Sequence, residues 1–143
     1  MTRVEDLLQA KGHAVWSISA DASVYEAIQM MADRGVGALP VLTARQVVGI
    51  VSERDYARKV ILQGKSSKDT PVRDIMTGTV YVVHPDQSIE QCMILMTDNR
   101  VRHLPVLDGD HLAGIVSIGD LVKAVIAEQQ VRIEQLESYI TGR

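Results

Sequence analysis

The sequence is poor in aromatic residues and in cysteine. It has no phenylalanine, one tryptophan (Trp16) and four tyrosines among 143 residues, so its core must be built from aliphatic side chains. The single cysteine, Cys92, excludes an intrachain disulfide bond. A lone cysteine in an apolar stripe is typical of a small buried side chain in a reducing compartment. We therefore expect a cytoplasmic protein.

An excess of basic residues is also missing. The chain has 15 Lys and Arg against 18 Asp and Glu, a net charge of -3, whereas proteins that bind nucleic acid through its phosphates are usually basic. Aromatic residues that could stack on bases are scarce as well, which argues against a nucleic acid partner. No apolar run approaches the ~18 residues of a membrane span, and the charged N-terminus lacks the apolar core of a signal peptide. The sequence therefore predicts no contact with a membrane.

Motifs of the common enzyme classes are absent. There is no P-loop, no nucleophile elbow and no cluster of carboxylates for a metal. The four histidines, His13, His84, His103 and His111, do not have the spacing of a metal site. An enzyme remains an alternative that turnover of ATP with Mg²⁺ would support, but we expect no catalytic residue, no metal and no catalytic cofactor.

The chain does contain an internal repeat. Residues 15–61 align without a gap with residues 80–126 at a constant offset of 65, and 17 of the 47 aligned positions are identical. A short similar segment, which we call the echo, precedes each copy: residues 4–8 match residues 72–76 at an offset of 68. Three additional residues therefore stand before the first copy. Repeats of this kind determine the fold and have to be identified first.

Each copy predicts the order strand, helix, strand, strand, helix. The first strands are expected at 15–18 and 80–83, and Ser-x-x-Glu/Gln capping boxes then precede helices with one apolar face. Two β-branched runs follow in each copy and indicate a hairpin. We predict an α+β fold in which two β-α-β-β-α repeats pack with pseudo-twofold symmetry, the sheets facing each other and the helices outside.

The predicted organisation has four parts. An N-terminal helix, expected over 3–10 with a Thr2 and Glu5 capping box, and the first repeat occupy 1–62. A polar linker follows at 63–71, the second repeat at 72–126 and a helical extension at 127–143. The last helix carries apolar residues at heptad-like spacing, with Gln129 at the centre of the seam. These apolar residues could pack within the chain or form a contact between subunits, and we favour a helix that does both.

Two Ser-x-x-Asp boxes stand at matching places, Ser52 to Asp55 and Ser117 to Asp120, each between a Gly-Ile-Val strand and a helix. A helix capping box explains either of them alone. The same geometry suits a nucleotide, because a helix N-terminus attracts phosphate and a carboxylate can accept hydrogen bonds from a ribose diol. Both interpretations can hold for one box.

Two further elements are candidates for contact with a base. The first is the segment that leads into the hairpin of each copy, residues 35–40 and 100–105. A proline in each segment removes a hydrogen-bond donor from the sheet. The second copy also adds the positive charge of Arg102 and His103. The ends of the first strands, 17–20 and 82–85, could line an apolar slot, although core packing explains Ile18 and Val83 without a ligand.

The combined pattern resembles a tandem pair of cystathionine-β-synthase (CBS) domains, also called a Bateman module. The residues that carry the resemblance are Leu-Pro-Val-Leu, Gly-Ile-Val-Ser-x-x-Asp and Ile-Met-Thr, and it covers about 4–126. The resemblance implies a stand-alone regulatory protein of bacterial type that binds AMP, ADP, ATP, an NAD-type dinucleotide or S-adenosylmethionine in clefts between the repeats. It also implies a homodimer that signals to an unidentified effector protein.

The resemblance assigns a role to each matching position. Asp55 and Asp120 would hold the ribose hydroxyls, and Arg102 and His103 would reach the phosphates. Two departures, Val82 in place of the usual threonine and the uncharged Gly37 and Ala38, put equal occupancy of the clefts in doubt. The full set of expected nucleotide-binding residues is Ser17, Ile18, Ala20, Gly37, Ala38, Pro40, Ser52, Arg54, Asp55, Val82, His84, Arg102, His103, Pro105, Ser117, Gly119 and Asp120. The alternative function is a dimeric interaction scaffold that binds no ligand.

Overall fold

The chain folds into two halves of matching structure. A computed structural model describes residues 2–12 and 14–142. The first half contains α1 (Val4–Lys11), β1 (Ile18–Ser19), α2 (Val24–Arg34), β2 (Ala38–Thr43), β3 (Gln46–Ser52) and α3 (Glu53–Tyr56), which continues as a π-helical segment, Ala57–Ile61. The second half contains a 3-10 turn (Val72–Asp74), α4 (Ile89–Asn99), β4 (His103–Asp108), β5 (His111–Ser117) and α5 (Ile118–Thr141). The predicted α+β class is confirmed.

Each half is built around an antiparallel hairpin. β2 pairs with β3, and β4 pairs with β5, in equivalent registers that place Pro40 opposite Ile50 and Pro105 opposite Ile115. Both hairpins have a register shift at the same place, after Val41 and after Val106. The two hairpins predicted from the β-branched runs are therefore confirmed.

The first strand of each copy is shorter than predicted. In the first half only Ile18–Ser19 pairs with β2, in parallel, and in the second half a single parallel bridge joins Val83 to Val106. The expectation of four-residue strands was wrong because Val15 and Val80 lie on the walls of cavities and have no strand beside them. This leaves the backbone before each sheet free to shape the clefts.

The segment that precedes each repeat packs on the other half. Val72 and Ile75 belong to the core of the first half, whereas Val4 and Leu7 of α1 belong to the core of the second half. The main chain follows the same exchange, since the Val72 amide donates to the Ala22 carbonyl (2.8 Å) and the Val4 amide donates to the Gln87 carbonyl (2.9 Å). The short echo in the sequence therefore marks an exchanged structural element.

Two glycines allow these exchanged segments to approach the sheets. A Cβ atom at Gly49 would lie 2.6 Å from Met76 Sδ, and one at Gly114 would lie 2.7 Å from Leu8 Cδ2. Met76 and Leu8 are equivalent positions of the echo. Glycine therefore stands at both places because the crossing segment leaves no room for a side chain.

The first and last helices differ in detail from the prediction. α1 begins at Val4, one residue later than expected, because the Arg3 amide donates to Asp6 Oδ2 (2.9 Å). This replaces the predicted Thr2 and Glu5 box. The last helix runs to Thr141, close to the predicted end at Ile140.

Candidate functional site

The first cleft lies between the two halves and has a volume of about 360 Å³. This volume is within the range of small-molecule pockets, about 300–1,000 Å³. One wall comes from the first half, with Gly37, Ile50 and 52–55, and the other comes from the second half, with 79–81 and 100–103. Thr77, which pairs with Ile50, closes the cleft between them. Six predicted site residues lie here: Gly37, Ser52, Arg54, Asp55, Arg102 and His103.

The Ser52–Asp55 corner holds a carboxylate at the wall of the first cleft. The Ser52 amide and hydroxyl each donate to Asp55 Oδ2 at 3.0 Å, and Lys59 Nζ lies 3.1 Å from Oδ1. A carboxylate offers about four acceptor positions, so Oδ1 keeps one for a hydroxyl of a ligand. The Ser52 hydroxyl can also rotate to free a second position. The box is thus a helix cap whose carboxylate retains binding capacity.

Three exposed arginines, Arg54, Arg100 and Arg102, are among the residues that line the same cleft. Glu53 and Asp55 are the acidic residues among its lining. Guanidinium groups recognise phosphate in a planar, bidentate manner. Arg100 ends α4 in the left-handed conformation (φ 53°), at the position where the first half has Gly35 (φ 66°). The arginine therefore stands where a glycine would be less strained.

His103 contributes a neutral ring to this cleft at neutral pH. Burial and the nearby Lys11 ammonium lower the pKa of His103 below its usual value. The carboxylates of Asp120 and Asp55 oppose this shift without overcoming it. This direction favours the neutral ring over the expected positive charge of His103, whereas Arg102 keeps its charge.

The second cleft occupies the equivalent place and is smaller, about 200 Å³. It is lined by Val15, Trp16, Val36, Ala38 and Ile115, together with Leu8 and Lys11 of α1. The Arg34 guanidinium stacks on the Trp16 ring at 3.9 Å from its centroid, so this arginine already has an aromatic partner. The two clefts are thus unequal, as the sequence predicted.

Lys11 engages the carboxylate of the second cleft. Its Nζ atom lies 2.8 Å from Asp120 Oδ2 and donates to the Ile115 carbonyl at 2.8 Å. Burial raises the pKa of Asp120, but hydrogen bonds from Lys11 and from the Ser117 amide outweigh burial and hold this pKa below its usual range. Asp120 is therefore ionised and paired within the chain.

The other expected site residues lie outside the first cleft. Ile18, Ala20, Pro40 and Pro105 are buried in their own halves. Ser17 and Val82 line a third, more open depression. His84 is exposed with its ring Nδ1 2.9 Å from the Leu107 carbonyl, Gly119 is exposed, and Ser117 caps α5. These positions remain predictions that the geometry of the first cleft does not support.

Several residues of the two clefts were missed by the sequence reasoning. In the first cleft they are Glu53, Thr77, Thr79 and Tyr81, and in the second they are Lys11 and Trp16. Arg100 lay in the candidate segment 100–105 but was not among the expected binding residues. For Thr77 and Thr79 the available signal was the echo at 72–76, because a similar segment before each repeat indicates that this part of the chain packs into the fold. Lys11 was indicated by the three additional residues, because they lie between the echo at 4–8 and the first repeat, where Lys11 stands.

Comparison with known proteins places this geometry in a family. The model of the CBS domain matches residues 4–61 and 72–127, and the chain belongs to the CBS-domain family. A curated relative, CBS domain-containing protein CBSX3, mitochondrial, from Arabidopsis thaliana, is 41% identical over 151 residues that cover 99% of this chain and 73% of the relative. CBS pairs are regulatory modules.

Two solved structures illustrate the similarity. A CBS-domain protein from Burkholderia ambifaria MC40-6 has a TM-score of 0.84 and 53% identity, with 90% of this chain and 96% of that chain covered. The CBS domain pair of protein MJ0100, in complex with 5'-methylthioadenosine and S-adenosyl-L-methionine, has a TM-score of 0.79 and 25% identity, with coverage of 89% and 98%. That CBS domain pair is therefore a structural neighbour with adenosine-containing molecules bound.

Metal sites and membrane spans can be judged for residues 2–12 and 14–142, which the structure describes. Within these ranges no three or more His, Cys, Asp or Glu side chains are grouped so that they could hold a metal ion. No helix in the same ranges has the length and apolar character to cross a membrane. His13 lies outside the described residues.

Proposed function

We propose that this chain is a non-enzymatic regulatory module that binds an adenosine-containing ligand in the first cleft and transmits its occupancy through a homodimer. The observation that carries the proposal is that Asp55 and three arginines line one cleft of about 360 Å³. A ribose and a phosphate chain need these two kinds of partner.

The charges of the first cleft favour a ligand with phosphates, namely AMP, ATP or NAD. Arg54, Arg100 and Arg102 exceed the two carboxylates, Glu53 and Asp55, by one positive charge. Tyr81 and Val101 add apolar surface beside which an adenine ring can lie. We assign Asp55 to a ribose hydroxyl and Arg100 and Arg102 to phosphate oxygens.

The exposed seam of α5 supports the homodimer. Its apolar side chains are 46% to 79% exposed at Val122, Ile126, Ile133, Leu136 and Ile140. Isoleucine at one core position of a heptad, with leucine at the other, favours a parallel two-stranded coiled coil. In that arrangement Arg132 lies beside Glu137 of the second copy, and the two charges are opposite. A second copy of this chain is therefore the proposed occupant of the seam.

The first test is the affinity for ATP of the Asp55→Asn variant, measured by isothermal titration calorimetry. Loss of a hydrogen bond to a charged group costs about 1.5–3 kcal/mol, so we expect binding to weaken about 10- to 150-fold. Asp86→Asn, an exposed carboxylate outside the first cleft, serves as the charge-matched control and should bind as the wild type does. Equal affinities of Asp55→Asn and wild type would contradict the assignment.

The same exposed seam favours a second candidate, a dimeric scaffold that binds no ligand. A thermal shift series with AMP, ATP, NAD and S-adenosylmethionine separates the two, because a ligand stabilises the state that binds it. A dimer that none of the four stabilises would favour the scaffold. The cytoplasmic location stays a prediction of ours.

A further inference from the structure

The three additional residues before the first repeat change what closes the second cleft. The echo positions Val4 and Val72 are both fully buried and start the two segments in the same way. After Asp74 the second segment leaves its single helical turn, and Thr77 exchanges two main-chain hydrogen bonds with Ile50. The first segment continues as helix to Lys11, whose ammonium bonds the carbonyl of Ile115, the residue equivalent to Ile50.

The carboxylates of Asp55 and Asp120 also form ion pairs with lysines from different parts of the chain. Asp55 is paired with Lys59, one turn further along the same helical segment, and Lys59 also donates to the Ile75 carbonyl at 2.8 Å. The residue equivalent to Lys59 in the second half is Ala124, which has no charge. Asp120 takes its partner from Lys11 on α1 instead.

The position of the lysine matters because the two ion pairs differ in which member, lysine or aspartate, lines the cleft. In the first cleft Asp55 is part of the lining and Lys59 is not. In the second cleft Lys11 is part of the lining and Asp120 is not. Lys11, whose ammonium is paired with Asp120, therefore stands at the wall of the second cleft where Asp55 stands in the first, and the second cleft has about 200 Å³ against about 360 Å³.

We infer that Lys11 takes the place of a ligand at Asp120, so that each chain binds one nucleotide, in the first cleft, and Lys11 is the residue that determines this choice. The inference rests on the proposed function for its ligand. It adds the number of sites, the cleft that is used and the residue responsible.

The test is a count of bound ATP per chain by native mass spectrometry. At an ATP concentration that just saturates the wild type, the wild type should bind one ATP, Asp55→Asn should show a clearly lower fraction of bound chains, and Asp120→Asn should bind as the wild type does. Lys11→Ala should bind a second ATP per chain, and Lys11→Ala combined with Asp120→Asn should return to one. Lys59→Ala is the matched control, because it removes the equivalent ion pair in the first half and should not gain a second ATP.

Two outcomes would overturn the inference. One is a wild type with two bound ATP, one of which is lost in Asp120→Asn. The other is a folded Lys11→Ala protein that still binds one ATP. Thermal melting of each variant confirms that it folds.

A second measurement needs no ligand and separates this inference from the proposed function. The rate at which acetic anhydride acetylates Lys11, read by peptide mass spectrometry, should be lower than that of the exposed Lys65 and should rise by about threefold or more in Asp120→Asn, since the variant loses the ion pair. Equal rates for Lys11 and Lys65 in the wild type would refute the inference. Protection of Lys11 together with no ATP binding by any variant would refute the proposed function alone.

Discussion

Arg100 combines a strained backbone, which lowers stability, with a position in the cleft that we propose binds the ligand. It adopts the left-handed conformation (φ 53°) at the end of α4, which costs a residue with a Cβ atom about 1–2 kcal/mol. The equivalent residue of the first half is Gly35, which meets the same requirement without strain. Since Arg100 is among the residues that line the first cleft, the strain is consistent with selection for its charge.

We therefore predict opposite effects of Arg100→Gly on stability and on affinity. The free energy of unfolding should rise by about 0.5–1 kcal/mol, and the melting temperature by about 1–4 °C, because relief of the strain exceeds the extra entropy that glycine gives the unfolded chain. The affinity for ATP should fall about 3- to 10-fold, whereas that for adenosine should stay within about twofold, because the lost contact is to phosphate.

Arg45→Gly is the matched control for this prediction. Arg45 also has a positive φ (66°), in the turn between β2 and β3, but it lies outside the first cleft. The control should gain stability to a similar extent and keep its affinity for ATP. An Arg100→Gly protein with unchanged affinity for ATP would exclude Arg100 from phosphate binding.

At the scale of single elements, the sequence predicted what depends on local pattern. The capping serines at 23, 52, 88 and 117 begin helices as expected, because a side-chain oxygen near an unpaired amide acts within one turn. Both hairpins followed from the β-branched runs. The turn at Ala44–Arg45 has positive φ at both residues and no glycine or asparagine, so the sequence carried no signal for its conformation.

The clefts were harder to predict because they are assembled from distant segments. Asp55 and Arg102 were identified from their motifs and line one cavity. Lys11 meets Asp120 across 109 positions, and the echo could not reveal this contact because its last matched residue is Leu8. Core packing was the default interpretation for Ile18 and Val83, and both residues are buried.

The seam of α5 leads to a prediction about assembly. Ile133→Glu combined with Leu136→Glu should raise the dissociation constant of the dimer more than about 100-fold, because each buried aliphatic side chain contributes about 1.5–3 kcal/mol and acts twice in a symmetric dimer. Sedimentation velocity over a range of concentrations measures this constant. Gln135→Glu adds charge beside the seam and should leave the dimer intact. A double variant that remains dimeric at low micromolar concentration would show that α5 is not the interface.

At the scale of the whole molecule, the exchanged segments join the two cores. Ile75, which begins the second repeat, is 1% exposed in the core of the first half, and Leu7 lies in the core of the second. Neither core is complete without residues that the sequence assigns to the other repeat. We therefore expect the two halves to unfold as one cooperative unit.

Two native probes can test this cooperativity. Trp16 packs against the core of the first half, and Cys92 is fully buried in the second, where burial raises the pKa of its thiol to about 11 and so suppresses its reactivity. Ile75→Ala should cost about 2–5 kcal/mol of unfolding free energy. In urea, the midpoints of Trp16 fluorescence and of Cys92 alkylation should fall together. A midpoint that falls for Trp16 alone would mean that the halves unfold independently.

The crossing of the leading segments also bears on how such a chain could arise. A shorter ancestor with a single repeat would carry a leading segment that its own core cannot accept. Two such chains would each lend that segment to the other and form a swapped pair. Gene duplication and fusion would then turn a reciprocal exchange between molecules into one within a molecule, and the later growth of one leading segment by three residues could alter one of the two pockets and leave the other open.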